Sequence, residues 1–138
     1  MRAVLLSVAL GALALAGCTL RDEGPRTTQT RELAAFTRID NRDSVDIAVR
    51  VGAPQAVRVR AGKNVLDDVR TEVRDGTLEV RYDGDAEVTL EVTVARLTGI
   101  EASGTGDVRA QGVTADALEI RSDGSADIAV DGVARRVR

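Results

Sequence analysis

Acidic side chains recur at one place in a repeated sequence. Asp46, Glu87, Asp107 and Asp127 each stand at the head of a short alternating run, DIAV, EVTL, DVRA and DIAV. Carboxylates stacked about 5 Å apart repel, and protonation or a cation relieves the repulsion. Asp107 and Asp127 are therefore the best candidates for a weak Ca²⁺ site. The same position suits a plainer role, in which Asp caps a turn by accepting hydrogen bonds from backbone N–H groups and faces water. We expect the capping role, because Ca²⁺-binding β-rolls repeat every nine residues and this chain repeats every 20. No metal and no cofactor is assigned.

Other chemistry is thin. The chain has no His, so it has no His-based triad and no His metal site. Ser103, Ser122 and Ser125 lie in turns without a base of suitable pKa to activate them. Cys18 is the only cysteine and cannot form an internal disulfide. Sugar sites usually want aromatic platforms, and the chain holds one Tyr, one Phe and no Trp; Tyr82, at a turn, is the only exposed candidate for such a role. With few aromatics and no basic patch, nucleic acid is excluded as a partner. We expect a protein that is not an enzyme.

The elements that carry these residues form a repeat. SGTGDV at Ser103 to Val108 returns as DGSADI at Asp123 to Ile128, 20 residues on, and LEVRYDGDAEV at Leu78 to Val88 matches LEIRSDGSADI at Leu118 to Ile128. One apolar column reads Ile39, Val59, Val80, Ile100, Ile120; a second reads Ile47, Val69, Val88, Val108, Ile128. Gly62, Gly84, Gly104 and Gly124 accompany four units as the expected turns, with φ > 0 predicted at Gly104 and Gly124. Each unit reads as strand, Gly/Asp turn, strand, turn, with the period of two that marks a half-buried strand. A unit this small buries its apolar face only against a stacked neighbour.

Two folds fit that pattern. Asp83-Gly84 between LEVRY and AEVTLEV is a hairpin signal, so an antiparallel β-meander or sandwich competes. The regular spacing favours an all-β, short right-handed parallel β-helix of about five 20-residue coils, in which each column stacks directly at about 4.8 Å. Phe36 and Leu33 to Ala35 would cover the first coil, leaving Val133, Ala134 and Val137 for the last.

The first residues belong to none of these coils. Met1-Arg2 is followed by the apolar run Ala3 to Ala16 and then by Leu15-Ala16-Gly17-Cys18. This resembles a bacterial lipoprotein signal peptide with its lipobox, and it divides the chain into a signal peptide (1–17), a lipidated Cys with a flexible tether (18–32) and a β-helical repeat domain (33–138). The resemblance implies cleavage before Cys18, palmitate-type acylation there, and stable anchoring through several acyl chains. Thr19 after the Cys, where inner-membrane retention uses Asp, points to an outer membrane lipoprotein facing the periplasm or the surface. The polar stretch Thr19 to Glu32 reaches about 20 Å on average, although an arm packed on the first unit is the other reading. Losing residues 1–17 removes one base, Arg2, and no acid, so the net charge of −3 becomes −4.

A family is reached through Phe36-Thr37-Arg38-Ile39, Asp46-Ile47-Ala48-Val49, Val57-Arg58-Val59, Gly76-Thr77-Leu78-Glu79-Val80 and the closing SGTGDV and DGSADI repeats. Together, from about Leu33 to Gly132, they resemble the bacterial head GIN domain family of “putative auto-transporter adhesins”. That resemblance implies an envelope protein with a pectin-lyase-like β-helix, without assigned catalytic residues, acting in adhesion. The expected function is thus a membrane-anchored interaction, adhesion or scaffold module with an envelope protein or glycan as partner. The alternative is a polysaccharide-binding or pectin-lyase-like carbohydrate-active protein.

Overall fold

The computed structural model describes residues 22–138. The signal peptide, the lipobox and Cys18 lie outside the described residues. Eleven strands and one 3-10 turn run in the order β1 (Arg26–Arg31), β2 (Arg38–Asn41), β3 (Asp46–Val51), β4 (Ala56–Gly62), the turn Leu66–Asp68, β5 (Arg70–Arg74), β6 (Thr77–Arg81), β7 (Thr89–Val94), β8 (Gly99–Ala102), β9 (Val108–Ala115), β10 (Glu119–Ser122) and β11 (Ile128–Ala134). Strict alternation makes the strands. In β4 the residues Val57, Val59 and Ala61 are buried while Ala56, Arg58 and Arg60 are exposed, and β7 buries Leu90, Val92 and Val94.

The strands form two mixed sheets, not a parallel β-helix. One sheet has the order β1-β4-β7-β3-β9-β11 and the other β10-β8-β2-β6-β5. A solenoid adds coils in chain order, whereas here β2 sits between β6 and β8 and β3 sits between β7 and β9. Three strands also run against their neighbours: β4 is antiparallel to β7, β1 to β4, and β5 to β6. The alternation that marks a strand carries no direction; the turns set it. Asp75 (φ 51°) and Gly76 (φ 73°) are both left-handed and close a two-residue hairpin between β5 and β6, as type I′ turns do. Asp83-Gly84 makes no hairpin, because β6 and β7 lie in different sheets.

The expected columns are redistributed accordingly. Ile120, Ile100, Ile39 and Leu78 share one row across four parallel strands. Val80 lies two residues further along, beside Asn41, and Val59 lies in the other sheet opposite Leu90. In the second column Ile47, Val108 and Ile128 are true neighbours, while Val69 and Val88 fall outside the strands. The 20-residue offset is kept in register only from β8 to β10 and from β9 to β11.

The inner faces of both sheets meet in one apolar core that includes Ile39, Leu78, Val80 and Ile100 from one sheet and Ile47, Val59, Leu90 and Val108 from the other. Phe36 is buried in it and Leu33 packs against it, as expected for the segment that covers one end. Gln55 ties that segment down, its side-chain amide donating to the carbonyls of Leu33 and Ala34 and accepting from the N–H of Phe36. Residues 26–31, read in the sequence within a tether, are instead strand β1 on the edge of the larger sheet. Arg31 clamps that strand by donating to the carbonyls of Leu66 (2.8 Å) and Val69 (3.0 Å). Burial lowers the Arg31 pKa, and the charge of Asp67 partly opposes the shift.

A carboxylate ladder and a charged sheet face

The acidic residues singled out in the sequence divide in two. Asp46, Asp107 and Asp127 fall in line across β3, β9 and β11. The Asp46 carboxylate accepts a hydrogen bond from the N–H of Asp107 at 2.9 Å, and the Asp107 carboxylate accepts one from the N–H of Asp127 at 2.9 Å. Each carboxylate therefore caps the bend of the strand beside it, the plainer of the two roles expected. Glu87 is not on this ladder; its carboxylate meets Arg26 of β1 at 3.3 Å in an exposed pair. Among the described residues no three acidic, Cys or His side chains converge as a metal site would require.

The glycines beside the ladder are needed for space rather than for φ. Positive φ is found at Gly24, Gly52, Gly76, Gly112 and Gly132, and not at Gly62, Gly84, Gly104 or Gly124. Gly84, Gly104 and Gly124 do stand in bends, while Gly62 ends β4. A Cβ on Gly124 would overlap the carbonyl oxygen of Gly104, and a Cβ on Gly104 would overlap that of Asp43. Neighbouring bends approach so closely that only hydrogen fits between them.

Asn41 fastens the same bends from inside. Fully buried, it donates to the carbonyls of Val45 (2.6 Å) and Gly106 (3.2 Å). Sequence reading passed over it because a single Asn between a strand and a turn carries no periodic signal.

The outward face of the smaller sheet bears a row of charge that sequence reading also missed. Glu79, Asp40, Glu101 and Arg121 stand in register on β6, β2, β8 and β10. Arg42 bridges the row, its Nε donating to Asp40 at 2.8 Å and its terminal nitrogen to Glu79 at 3.3 Å. The Arg42 pKa is raised, first by the hydrogen bond to Asp40 and then by the charges of Asp40, Glu79 and Glu101, against a smaller cost of burial. The acids come from three units non-adjacent in sequence, so only the inserted position of β2 reveals them as neighbours.

The residues expected to carry chemistry are placed elsewhere. Tyr82 is buried, not exposed; its hydroxyl oxygen accepts from the N–H of Ala86, and its own N–H donates to Asp43. Phe36 is also buried, which leaves both aromatic rings of the chain inside. Ser122 donates to the carbonyl of Ala126, and the N–H groups of Ser103 and Ser125 bond to backbone carbonyls of the neighbouring bends. Among the described residues no helix is long and apolar enough to cross a membrane.

Comparison with known proteins gives a family and a fold. The family model described as “putative auto-transporter adhesin, head GIN domain” matches residues 35–138. No curated protein matches the chain. Among solved structures, a “putative adhesin” from Bacteroides fragilis NCTC 9343 is similar at 22% identity and a TM-score of 0.67, over 77% of this chain and 53% of that one. A “putative adhesin” from Parabacteroides merdae ATCC 43184 is similar at 18% identity and a TM-score of 0.64, over 72% of this chain and 44% of that one. A “putative lipid binding protein” from Parabacteroides distasonis ATCC 8503 is similar at 17% identity and a TM-score of 0.63, over 83% of this chain and 60% of that one. The chain thus spans roughly half the length of these structures and shares their fold.

Proposed function

Because this chain belongs to the head GIN domain family of “putative auto-transporter adhesins”, we propose that it is a non-catalytic adhesion or interaction module, held at the cell envelope by lipid on Cys18. The family match over residues 35–138 carries this reading. The shape of the molecule supports it. Two sheets locked by ladders and close glycine contacts form a rigid body, and their outward faces present ordered rows of charge such as Glu79, Asp40, Glu101 and Arg121. Fixed charge on a flat sheet recognises a partner by complementarity. It offers no activated nucleophile, since the serines of the bends bond to backbone rather than to a base.

The carbohydrate-active alternative loses its main support. Both aromatic rings are buried and neither can stack on a sugar. The β-helix from which that reading came is also not the fold found.

In this proposal the lipobox directs the chain to the outer membrane, and Cys18 is the acylated N-terminus of the mature protein. The test is Cys18→Ala in the native host, followed by membrane fractionation and intact mass. Loss of the acyl mass together with release or misprocessing is expected. Wild-type membrane retention with unchanged mass would refute the anchor. Function is tested separately by incubating cells that lack the protein with the labelled protein: saturable binding reduced by charge reversal at Glu79 and Glu101 is expected, and binding indifferent to those changes would refute the sheet face as the contact surface.

A further inference from the structure

The two ends of the larger sheet are built differently. At one end β1 reads RTTQTR, polar along its length, the kind of edge that discourages further pairing. At the other end β11 is open. Val130, Val133 and Val137 are the exposed large hydrophobic residues of the described chain, and all three lie on or just after β11, with Val133 at 71% exposure. In the smaller sheet the matching edge is partly closed, because residues 136–138 bond to Leu118 and Ile120 of the segment leading into β10. The backbone left unpaired is therefore chiefly that of β11, set in an apolar row.

Charge is arranged along the same strand. Asp123 and Asp127 precede β11, and Arg135, Arg136 and Arg138 follow it. Two of these are engaged nearby, Asp123 with Arg121 at 2.9 Å and Arg135 with Asp116 at 3.7 Å, both pairs largely exposed. A strand that is acidic at its start and basic at its end complements itself only when reversed. Antiparallel pairing sets each copy's acids across from the other's arginines; parallel pairing sets like against like.

We propose that β11 is an interaction surface for a second copy of this chain, which adds its own β11 antiparallel across a two-fold axis and extends the larger sheet through both molecules. The polar β1 edge is a poor mate for an apolar strand, so the contact is isologous and closes as a dimer. Val130 and Val133 meet their counterparts near the axis, while Asp127 and Arg136 meet at its ends.

The test is sedimentation equilibrium of the full chain in density-matched detergent. A dimer mass is expected. Val133→Asp should weaken association roughly tenfold or more, and Thr28→Asp on the opposite edge should leave it unchanged. Arg136→Glu, at an exposed site where folding is not at stake, should also weaken the dimer, and adding Asp127→Arg to it should restore association by swapping the charges. A chain that stays monomeric at all accessible concentrations would overturn the proposal and leave the edge to a strand from a different envelope protein. So would a dimer indifferent to both Val133→Asp and Arg136→Glu, or assemblies that grow without closing, which would mean head-to-tail contact.

Discussion

The carboxylate of Asp107 accepts a hydrogen bond from the backbone N–H of Asp127 at 2.9 Å, one strand over and 20 residues later. Asp46 makes the same bond to Asp107 from 61 residues away. Two rungs of one ladder thus join segments at very different sequence distances, because β3 and β9 are neighbours in the sheet but not in the chain.

If the ladder serves the backbone, its loss is felt in stability. Asp107→Ala should cost about 1 kcal/mol, the usual net contribution of a hydrogen bond, measured by chemical denaturation. Millimolar Ca²⁺ should leave the melting temperature of the wild type unchanged. A calcium-dependent rise abolished by Asp107→Ala would restore the metal reading.

Strand order is tested by distance. Asp40 and Glu101 are direct partners on β2 and β8, so cysteines there, in a chain carrying Cys18→Ser, should have Cα atoms about 5 Å apart and bridge on mild oxidation. Glu79 and Glu101 are separated by β2, about 10 Å apart, and cysteines there should stay free. The pair Glu101 and Arg121 bridges in either arrangement and cannot distinguish them. A Glu79–Glu101 bridge with a free Asp40–Glu101 pair would contradict the topology.

Gly104 and Gly124 separate steric demand from backbone strain. Adding a Cβ at Gly104 forces it against the carbonyl of Asp43, so Gly104→Ala should destabilise by about 1–3 kcal/mol. Gly104→Asn should be no milder, since tolerance of the left-handed region brings no relief where φ is not positive. An Asn variant clearly more stable than the Ala variant by urea denaturation would reinstate a left-handed turn.

Asn41 provides a test inside the core. Asn41→Ala leaves the carbonyls of Val45 and Gly106 without this donor in a fully buried site and should cost about 1–3 kcal/mol. A substitution within about 0.5 kcal/mol of wild type would show that the bends hold without it.

Much of this molecule was legible in its residues, and the illegible part has one cause. Alternation marked Ile39, Val59, Val80 and Ile100 as buried positions of strands, and all four are in the core. The Gly/Asp bends and the capping Asp were legible because they recur. Which strand lies beside which was not, since alternation is identical for parallel and antiparallel neighbours. The 20-residue period of Ile100 and Ile120 reports true neighbours, and extending it back to Val80 and Val59 failed where the Asp75-Gly76 hairpin and the Leu66–Asp68 turn redirect the chain. The charged row on β6, β2 and β8 was hidden for the same reason.

The central claim, a tethered module that binds through its surface, is tested most directly by photocrosslinking in intact cells from single sites. Probes at Glu101 and Arg121, on the outward face, should give a discrete adduct with an envelope component, and a probe at exposed Asp75, on the hairpin at the far edge of the same sheet, should not. Wild-type levels of folded, membrane-bound protein with no adduct from either outward site would contradict the account.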